Sequence, residues 1–178
     1  GLASFSVQNN KFSYYTFIDE NGKSIGEVNI TALFNDKKGK IWAGTTVGLF
    51  SLNKATNCFE EFHLNTFSPS KLFLENICIR TIIDDKNWNL IIGTEGNGLT
   101  VIGDLQNRPT IQTYTSENSE ICHNIVQSLI IDKSDNLWIG TLSGISKTDL
   151  KKKKFNLYRN SNSPNSLNLL GNVIASLY

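Results

Sequence analysis

The amino-acid sequence predicts an all-β protein made of repeated, four-stranded antiparallel units. The first observation is a set of Gly-Thr pairs, whose glycines stand at positions 44, 93 and 140 and are therefore 49 and 47 residues apart. The second is that each pair stands eight residues after an Asp that ends an apolar segment. The third is that these segments are short, rich in β-branched and aromatic residues, and separated by Gly, Asn, Asp and Lys, which is typical of strands and turns. Four strands in 47 to 49 residues match one blade of a β-propeller, whereas solenoid repeats without helices have shorter periods.

The turns of each unit are predicted by residue type. The first strand ends at Asp36, Asp85 or Asp132, and a tight turn is expected there because an Asp side chain accepts hydrogen bonds from nearby backbone amides. The Gly-Thr pair and a further Gly within five residues of it enclose the turn from the second to the third strand, since Gly adopts positive φ without strain. An apolar pair then marks the fourth strand: Phe59 and Phe62, Ile111 and Tyr114, Phe155 and Tyr158.

These signals predict a β-propeller segment of three complete blades, with part of a further blade at each end. The complete blades span 29–66, 79–116 and 126–159, the end of a preceding blade spans 1–17, and the first strand of a following blade spans 174–178. A propeller ring needs about four to eight blades to close. We therefore expect part of a larger ring, with a four-bladed ring that lacks one strand as the alternative.

Composition excludes several functional classes. Seventeen basic and sixteen acidic residues give a formal charge of +1, which argues against nucleic acid as a partner of this segment. No apolar run approaches the length of a membrane span. The chain contains no Met and begins without a signal peptide, so we expect it to be cut from a longer one. Its three cysteines, Cys58, Cys78 and Cys122, form no CxxC pair and predict free, mostly buried thiols with no metal site and no disulfide.

The segment 36–49 reads Asp-x-x-Gly-x-Ile-Trp-Ala-Gly-Thr-x-x-Gly-Leu. It resembles the two-component regulator propeller repeat, as does 132–145, and the linker 162–167 is similar to that family as well. The middle repeat departs from the pattern, because Ile91 stands where Trp42 and Trp138 stand, and Trp88 occupies the turn position of Gly39. We still expect its blade to form.

The resemblance implies a periplasmic or other extracytoplasmic sensor region of a bacterial membrane protein. In that family the region precedes a membrane helix and a signalling output, often a histidine kinase, and its inferred inputs are glycans or oligosaccharides. The partners implied are an oligosaccharide ligand and the remaining blades and signalling domains of the parent chain. The alternative is a propeller scaffold that binds no ligand and supplies a homodimer interface or a rigid spacer.

Candidate ligand-binding residues follow from propeller geometry. The second-to-third turns lie on the same face as the connections between blades, and loops on one face of a rigid scaffold commonly carry binding residues. Arg80, Glu95, Asn97 and Ser143 are the candidates on this face, because their side chains offer the donors and acceptors that sugar hydroxyls need. Solvated loop residues are the alternative interpretation of each.

The tryptophans receive different predictions. Trp42 and Trp138 stand mid-strand at a repeated position and are expected to pack between blades. Trp88 stands in a turn, where it is expected to be exposed and either to contact a partner or to be partly buried.

Catalysis by this segment is not expected. His63 and His123 are the only imidazole bases, and the sequence identifies no nucleophile beside either. Sialidases are also propellers, but their Asp box reads Ser-x-Asp-x-Gly-x-Thr-Trp, whereas here Gly39 and Trp42 follow Asp36 by three and six residues. No catalytic residue, metal or cofactor is predicted.

Overall fold

A computed structural model describes residues 1–63, 74, 76–103, 105 and 109–150, and the backbone of 154–158. These residues contain fourteen strands and no helix, and hence no helix with the length and apolarity needed to cross a membrane. The strands are β1 (Leu2–Ser6), β2 (Lys11–Ile18), β3 (Ile30–Asn35), β4 (Ile41–Thr45), β5 (Leu49–Asn53), β6 (Cys58–Glu61), β7 (Ile79–Asp84), β8 (Leu90–Thr94), β9 (Leu99–Gly103), β10 (Thr110–Tyr114), β11 (Val126–Ile131), β12 (Asn136–Thr141), β13 (Gly144–Asp149) and β14 (Lys154–Tyr158).

The chain forms two compact units, 1–79 and 80–178. The first contains one sheet in the order β1-β2-β6-β5-β4-β3, and the second contains two four-stranded sheets, β10-β9-β8-β7 and β11-β12-β13-β14. The predicted β-propeller fold with four-stranded antiparallel blades is confirmed, including the middle repeat. The blade limits remain a prediction, and the strand predicted at 174–178 lies outside the described residues.

The hairpin of β1 and β2 joins the sheet of β3 to β6. Its strand β2 pairs in parallel with β6, with Phe17 opposite Phe59, because an open sheet edge carries unpaired backbone groups that accept a further strand. The ring of Phe17 stacks on Phe59 at 5.0 Å and meets Phe50 edge-on at 5.2 Å. These rings form the core of the first unit together with Val28 and Ala43.

Each predicted Asp turn is closed by one carboxylate oxygen. Oδ1 of Asp36 accepts hydrogen bonds from the amides of Lys38 and Lys40 at 2.9 and 2.8 Å, and Asp85 and Asp132 make the equivalent pairs. The third residue after each Asp has positive φ, at 77°, 65° and 64° for Gly39, Trp88 and Asp135. The same arrangement occurs after β2, where Asp19 accepts from the amides of Asn21 and Lys23, a turn that the repeat analysis missed.

The Gly-Thr pair has two separate structural roles. The Thr hydroxyl of Thr45, Thr94 or Thr141 donates to the carbonyl of the Gly that closes the turn, at 2.8 to 2.9 Å, and each of these threonines is fully buried. The preceding Gly permits a close approach: a Cβ on Gly93 would lie 2.6 Å from Cγ1 of Val126, the first residue of β11. The pair therefore locks a turn and allows the two sheets of the second unit to pack face to face.

The repeated tryptophans bind the Asp turns of their own repeats, and their packing between blades stays a prediction. Trp42 is 1% exposed, donates from Nε1 to Oδ2 of Asp36 at 2.9 Å, and meets the ring of Phe62 edge-on at 4.9 Å. Trp138 is half-buried and makes the same bond to Asp132 at 2.9 Å. Several hydrogen bonds to this carboxylate hold the pKa of Asp132 well below its usual range, and the bond from Trp138 has the largest effect.

We expect Trp42→Phe to lower the free energy of unfolding by about 2–3 kcal/mol, because it removes buried ring volume and leaves Asp36 without its indole donor. Trp138→Phe removes the same atoms from a more exposed position and should lower it by about 1 kcal/mol. Urea denaturation of both variants measures the difference. Equal losses would contradict the role assigned to burial.

We expect Gly93→Ala to lower the free energy of unfolding by about 2 kcal/mol, since the added methyl group would overlap Val126. In a Val126→Ala background the same change should be less damaging by at least about 0.5 kcal/mol. A double-mutant cycle in urea tests this coupling, and strictly additive losses would show that the two residues do not meet.

Candidate functional site

Two of the predicted ligand residues are in direct contact. Nη2 of Arg80, on β7, lies 2.9 Å from Oε1 of Glu95, in the turn between β8 and β9. The two side chains are 37% and 41% exposed, so water screens the pair and its contribution to stability is small. The pair presents a guanidinium and a carboxylate side by side at the surface.

The other two candidates lie in the predicted turns. Asn97 is exposed in the same turn as Glu95, and its backbone amide donates a hydrogen bond to Oγ1 of Thr94 at 3.0 Å. Ser143 lies in the corresponding turn of the next sheet, where its amide donates to Oγ1 of Thr141 at 3.2 Å. Arg80, Glu95 and Asn97 thus belong to one surface, whereas Ser143 belongs to the following repeat.

The turn that carries Glu95 is fastened to the connection that leads into β11. The carbonyl of Asn124 accepts hydrogen bonds from the amides of Gly96 and Gly98 at 3.0 and 2.8 Å, and Glu95 forms an antiparallel bridge with Ile125. A displacement of this turn would therefore act directly on the start of the next sheet. Asn124 was not among the predicted residues, because Gly96 and Gly98 are remote from it in sequence.

Asn124 also organises a polar cluster beside the turn. Its Nδ2 donates to both carboxylate oxygens of Glu117 at 3.1 and 3.2 Å, and its Oδ1 accepts from the amide of Ser116 at 2.8 Å. Hydrogen bonds from Thr115 first, then from Asn124 and Ser116, lower the pKa of Glu117 from 4.5 to about 2. In these contacts the ionised carboxylate of Glu117 has a structural role, because it holds the side chain of Asn124 in place.

A cavity of about 390 Å³ lies between the two sheets of the second unit and extends from the Asp85 turn along the sheet to Leu99 and Tyr114. Apolar side chains form part of its wall. Polar side chains form the rest, and they range from the buried Asp85 and Thr148 to the exposed Asn87, Thr110 and Gln112. The cavity was not predicted from the sequence, although the replacement of Trp by Ile91 in the middle repeat is a signal for it. The lining residues that bear on its chemistry are Asp85, Asn89, Ile91, Val101, Tyr114 and Thr148.

The remaining sequence predictions concern Trp88, the cysteines and metals. Trp88 is 44% exposed in its turn, as predicted. Cys58, Cys78 and Cys122 form no disulfide with one another and are of intermediate burial, less buried than expected. Among the described residues no three His, Cys, Asp or Glu side chains are grouped in a way that could hold a metal ion.

Comparison with known proteins identifies the repeat. The family model described as two component regulator propeller matches residues 24–46 and 120–143. Histidine kinase P4 of Formosa agariphila is 30% identical over 158 residues, which are 89% of this chain and 11% of that protein. The chain thus spans about a tenth of the curated relative that it matches.

Solved structures share the fold. The extracellular domain of one protein described as a hybrid two-component system, from B. thetaiotaomicron, aligns with a TM-score of 0.73 and 22% identity over 100% of this chain and 22% of that one. The extracellular domain of a second such protein from the same organism gives a TM-score of 0.65 and 25% identity over 89% of this chain and 21% of that one. The chain covers about a fifth of each.

We expect Glu117→Gln to reduce stability at neutral pH, because the ionised carboxylate accepts the hydrogen bonds of the cluster. A folded pKa of about 2 against 4.5 means that this stabilisation is complete above about pH 4.5 and is lost as the pH falls towards 2. The difference in Tm between the wild type and the variant should therefore be constant from about pH 7 to pH 5 and shrink below that. A difference that grows on acidification would contradict the assignment.

Proposed function

The chain carries repeats of the two-component regulator propeller type, and from this premise we propose that it is part of the sensor region of a two-component signalling protein. The region lies on the extracytoplasmic side of a bacterial membrane, in the periplasm, and responds to a glycan or oligosaccharide. Its signal passes to a histidine kinase elsewhere in the parent protein. The observation that carries this proposal is the similarity to a histidine kinase along most of the chain.

The proposed ligand surface is formed by Arg80, Glu95 and Asn97. The guanidinium of Arg80 donates hydrogen bonds, the carboxylate of Glu95 accepts them, and the amide of Asn97 does both. This combination suits the hydroxyl groups of a sugar, each of which is donor and acceptor. The ion pair at 2.9 Å fixes the two charged groups in one geometry before a ligand arrives, which limits the entropy lost on binding.

The hydrogen bonds that hold the turn of Glu95 provide a route for the signal from a bound ligand. Because Gly96 and Gly98 donate to the carbonyl of Asn124, a ligand that shifts the turn of Glu95 also shifts the entry to β11. The change would spread from one sheet to the next without a hinge in the described residues. In this proposal the segment binds and relays, and performs no catalysis.

A scaffold that binds no ligand is the second candidate. It is favoured by the contact between Arg80 and Glu95, which already satisfies part of the hydrogen-bonding capacity of both groups. In that case the segment acts as a rigid spacer or supplies a homodimer interface, and the ligand binds elsewhere in the parent protein.

Calorimetric titration of the complete extracytoplasmic region with an oligosaccharide panel separates the two candidates. For the ligand that binds, Arg80→Ala and Glu95→Gln should each weaken affinity by at least about tenfold. Lys86→Ala is the matched control, because Lys86 forms an ion pair with Asp135 at 2.7 Å at the opposite end of the same sheet. It should leave affinity unchanged.

The outcomes are distinguishable. Binding that survives both substitutions would refute this surface as the site while leaving the sensor proposal intact. An ectodomain that binds none of the oligosaccharides would favour the scaffold.

A further inference from the structure

The cavity in the second unit occupies the place that an indole ring fills in the first. In the first unit the centre of the Trp42 indole lies 4.9 Å from the ring centre of Phe62 and 4.5 Å from Nζ of Lys40. The indole N–H donates a hydrogen bond to Asp36. The residues at the corresponding positions of the middle repeat are Tyr114, Asn89 and Asp85, and all three line the cavity.

The strand register supports this equivalence. Trp42 pairs across the sheet with Ser51, and Trp138 pairs with Lys147. Ile91 pairs with Val101 at the same position of the middle repeat, and both residues line the cavity. Because the side chain of Ile is smaller than an indole, the replacement leaves space next to the Asp turn.

The opposite wall of the cavity contributes an unpartnered polar group. Thr148, on β13, lines the cavity and is only 3% exposed. Its Oγ1 has no hydrogen-bond partner among the described residues. A buried hydroxyl in this state is unfavourable, so a molecule that supplies a polar atom at this wall is favoured over one that is wholly apolar.

We propose that this cavity binds a small planar heteroaromatic molecule of the indole class, which carries a hydrogen-bond donor on its edge. The walls match such a ring, since Leu99, Val101 and Leu137 supply apolar surface and Tyr114 stands where Phe62 meets Trp42 edge-on. A volume of about 390 Å³ accommodates the ring and a polar substituent directed to Thr148.

The Asp turn provides the recognition of the donor. In the third repeat Oδ2 of Asp132 accepts both from Nδ2 of Asn136 and from Nε1 of Trp138, each at 2.9 Å. In the middle repeat Oδ2 of Asp85 accepts from Nδ2 of Asn89 at 2.7 Å. The geometry of this turn is therefore compatible with an Asn donor and a ring N–H on one carboxylate oxygen.

This site is independent of the proposed sugar surface. Asp85 follows the end of β7, whereas Arg80 lies at the start of that strand and Glu95 follows the end of β8. The Asp85 turn and the ion pair of Arg80 with Glu95 are therefore at opposite ends of the sheet, and none of the residues proposed to bind the sugar lines the cavity. Either site can bind a ligand if the other does not.

The test is an NMR titration of methyl-labelled protein with indole, with 1-methylindole and glucose as comparison probes. Indole should shift the methyl signals of Ile91, Val101 and Thr148, and 1-methylindole, which has no N–H, should bind at least about tenfold more weakly. In the Ile91→Trp variant the side chain should fill the site and abolish indole binding. The variant is expected to fold, because Trp occupies this position in the other two repeats, and its Tm checks that it does.

Shifts confined to the cavity in the wild type support the proposal independently of the variant. No binding of indole, shifts located elsewhere, or undiminished binding by folded Ile91→Trp would overturn it. Equal affinity for 1-methylindole, or binding of glucose in place of indole, would overturn the assigned ligand class.

Discussion

The structure depends on the close approach that a glycine permits between one sheet and the next. At Gly93 a side chain would collide with Val126 and with Thr81, so the absence of a Cβ allows β11 to lie across β8. This contact brings together the apolar residues of both sheets, including Ile91, Leu99 and Ile139, in one core. Burial of such side chains is the main source of stability in a fold whose strands are only four to eight residues long.

Both proposed sites lie where the middle repeat deviates from its neighbours. The Asp turn and the Gly-Thr lock recur in all three repeats and hold the sheets in shape. The middle repeat keeps both, yet it carries Arg80 beside Glu95 at one end and lacks the indole at the other. Both proposed sites therefore use a constant frame in which a few variable side chains change the chemistry, as is usual for folds that serve many functions.

The sequence predicted the strands, the Asp turns and the exposed Trp88 because these depend on local chemistry: a carboxylate that binds its own turn, and a glycine that accepts positive φ. It did not predict the parallel pairing of β2 with β6, because the two strands are far apart in sequence and are brought together only by the folded chain. For the candidate site, Arg80 and Glu95 were identified but their ion pair was not. The hydrogen bonds from Gly96 and Gly98 to Asn124 and the cavity at Ile91 join parts of the chain that are separate in sequence. No regular spacing of residues predicts them.

Successive sheets of the second unit pack face to face across Gly93. The most direct measurement is a set of nuclear Overhauser effects from the α protons of Gly93 in the methyl-labelled protein. If the sheets meet at Gly93, these protons give strong cross-peaks to the methyl groups of Val126 and Thr81. Absence of both cross-peaks, with cross-peaks from Gly93 to residues outside β7 and β11 instead, would show that the sheets do not pack in this way.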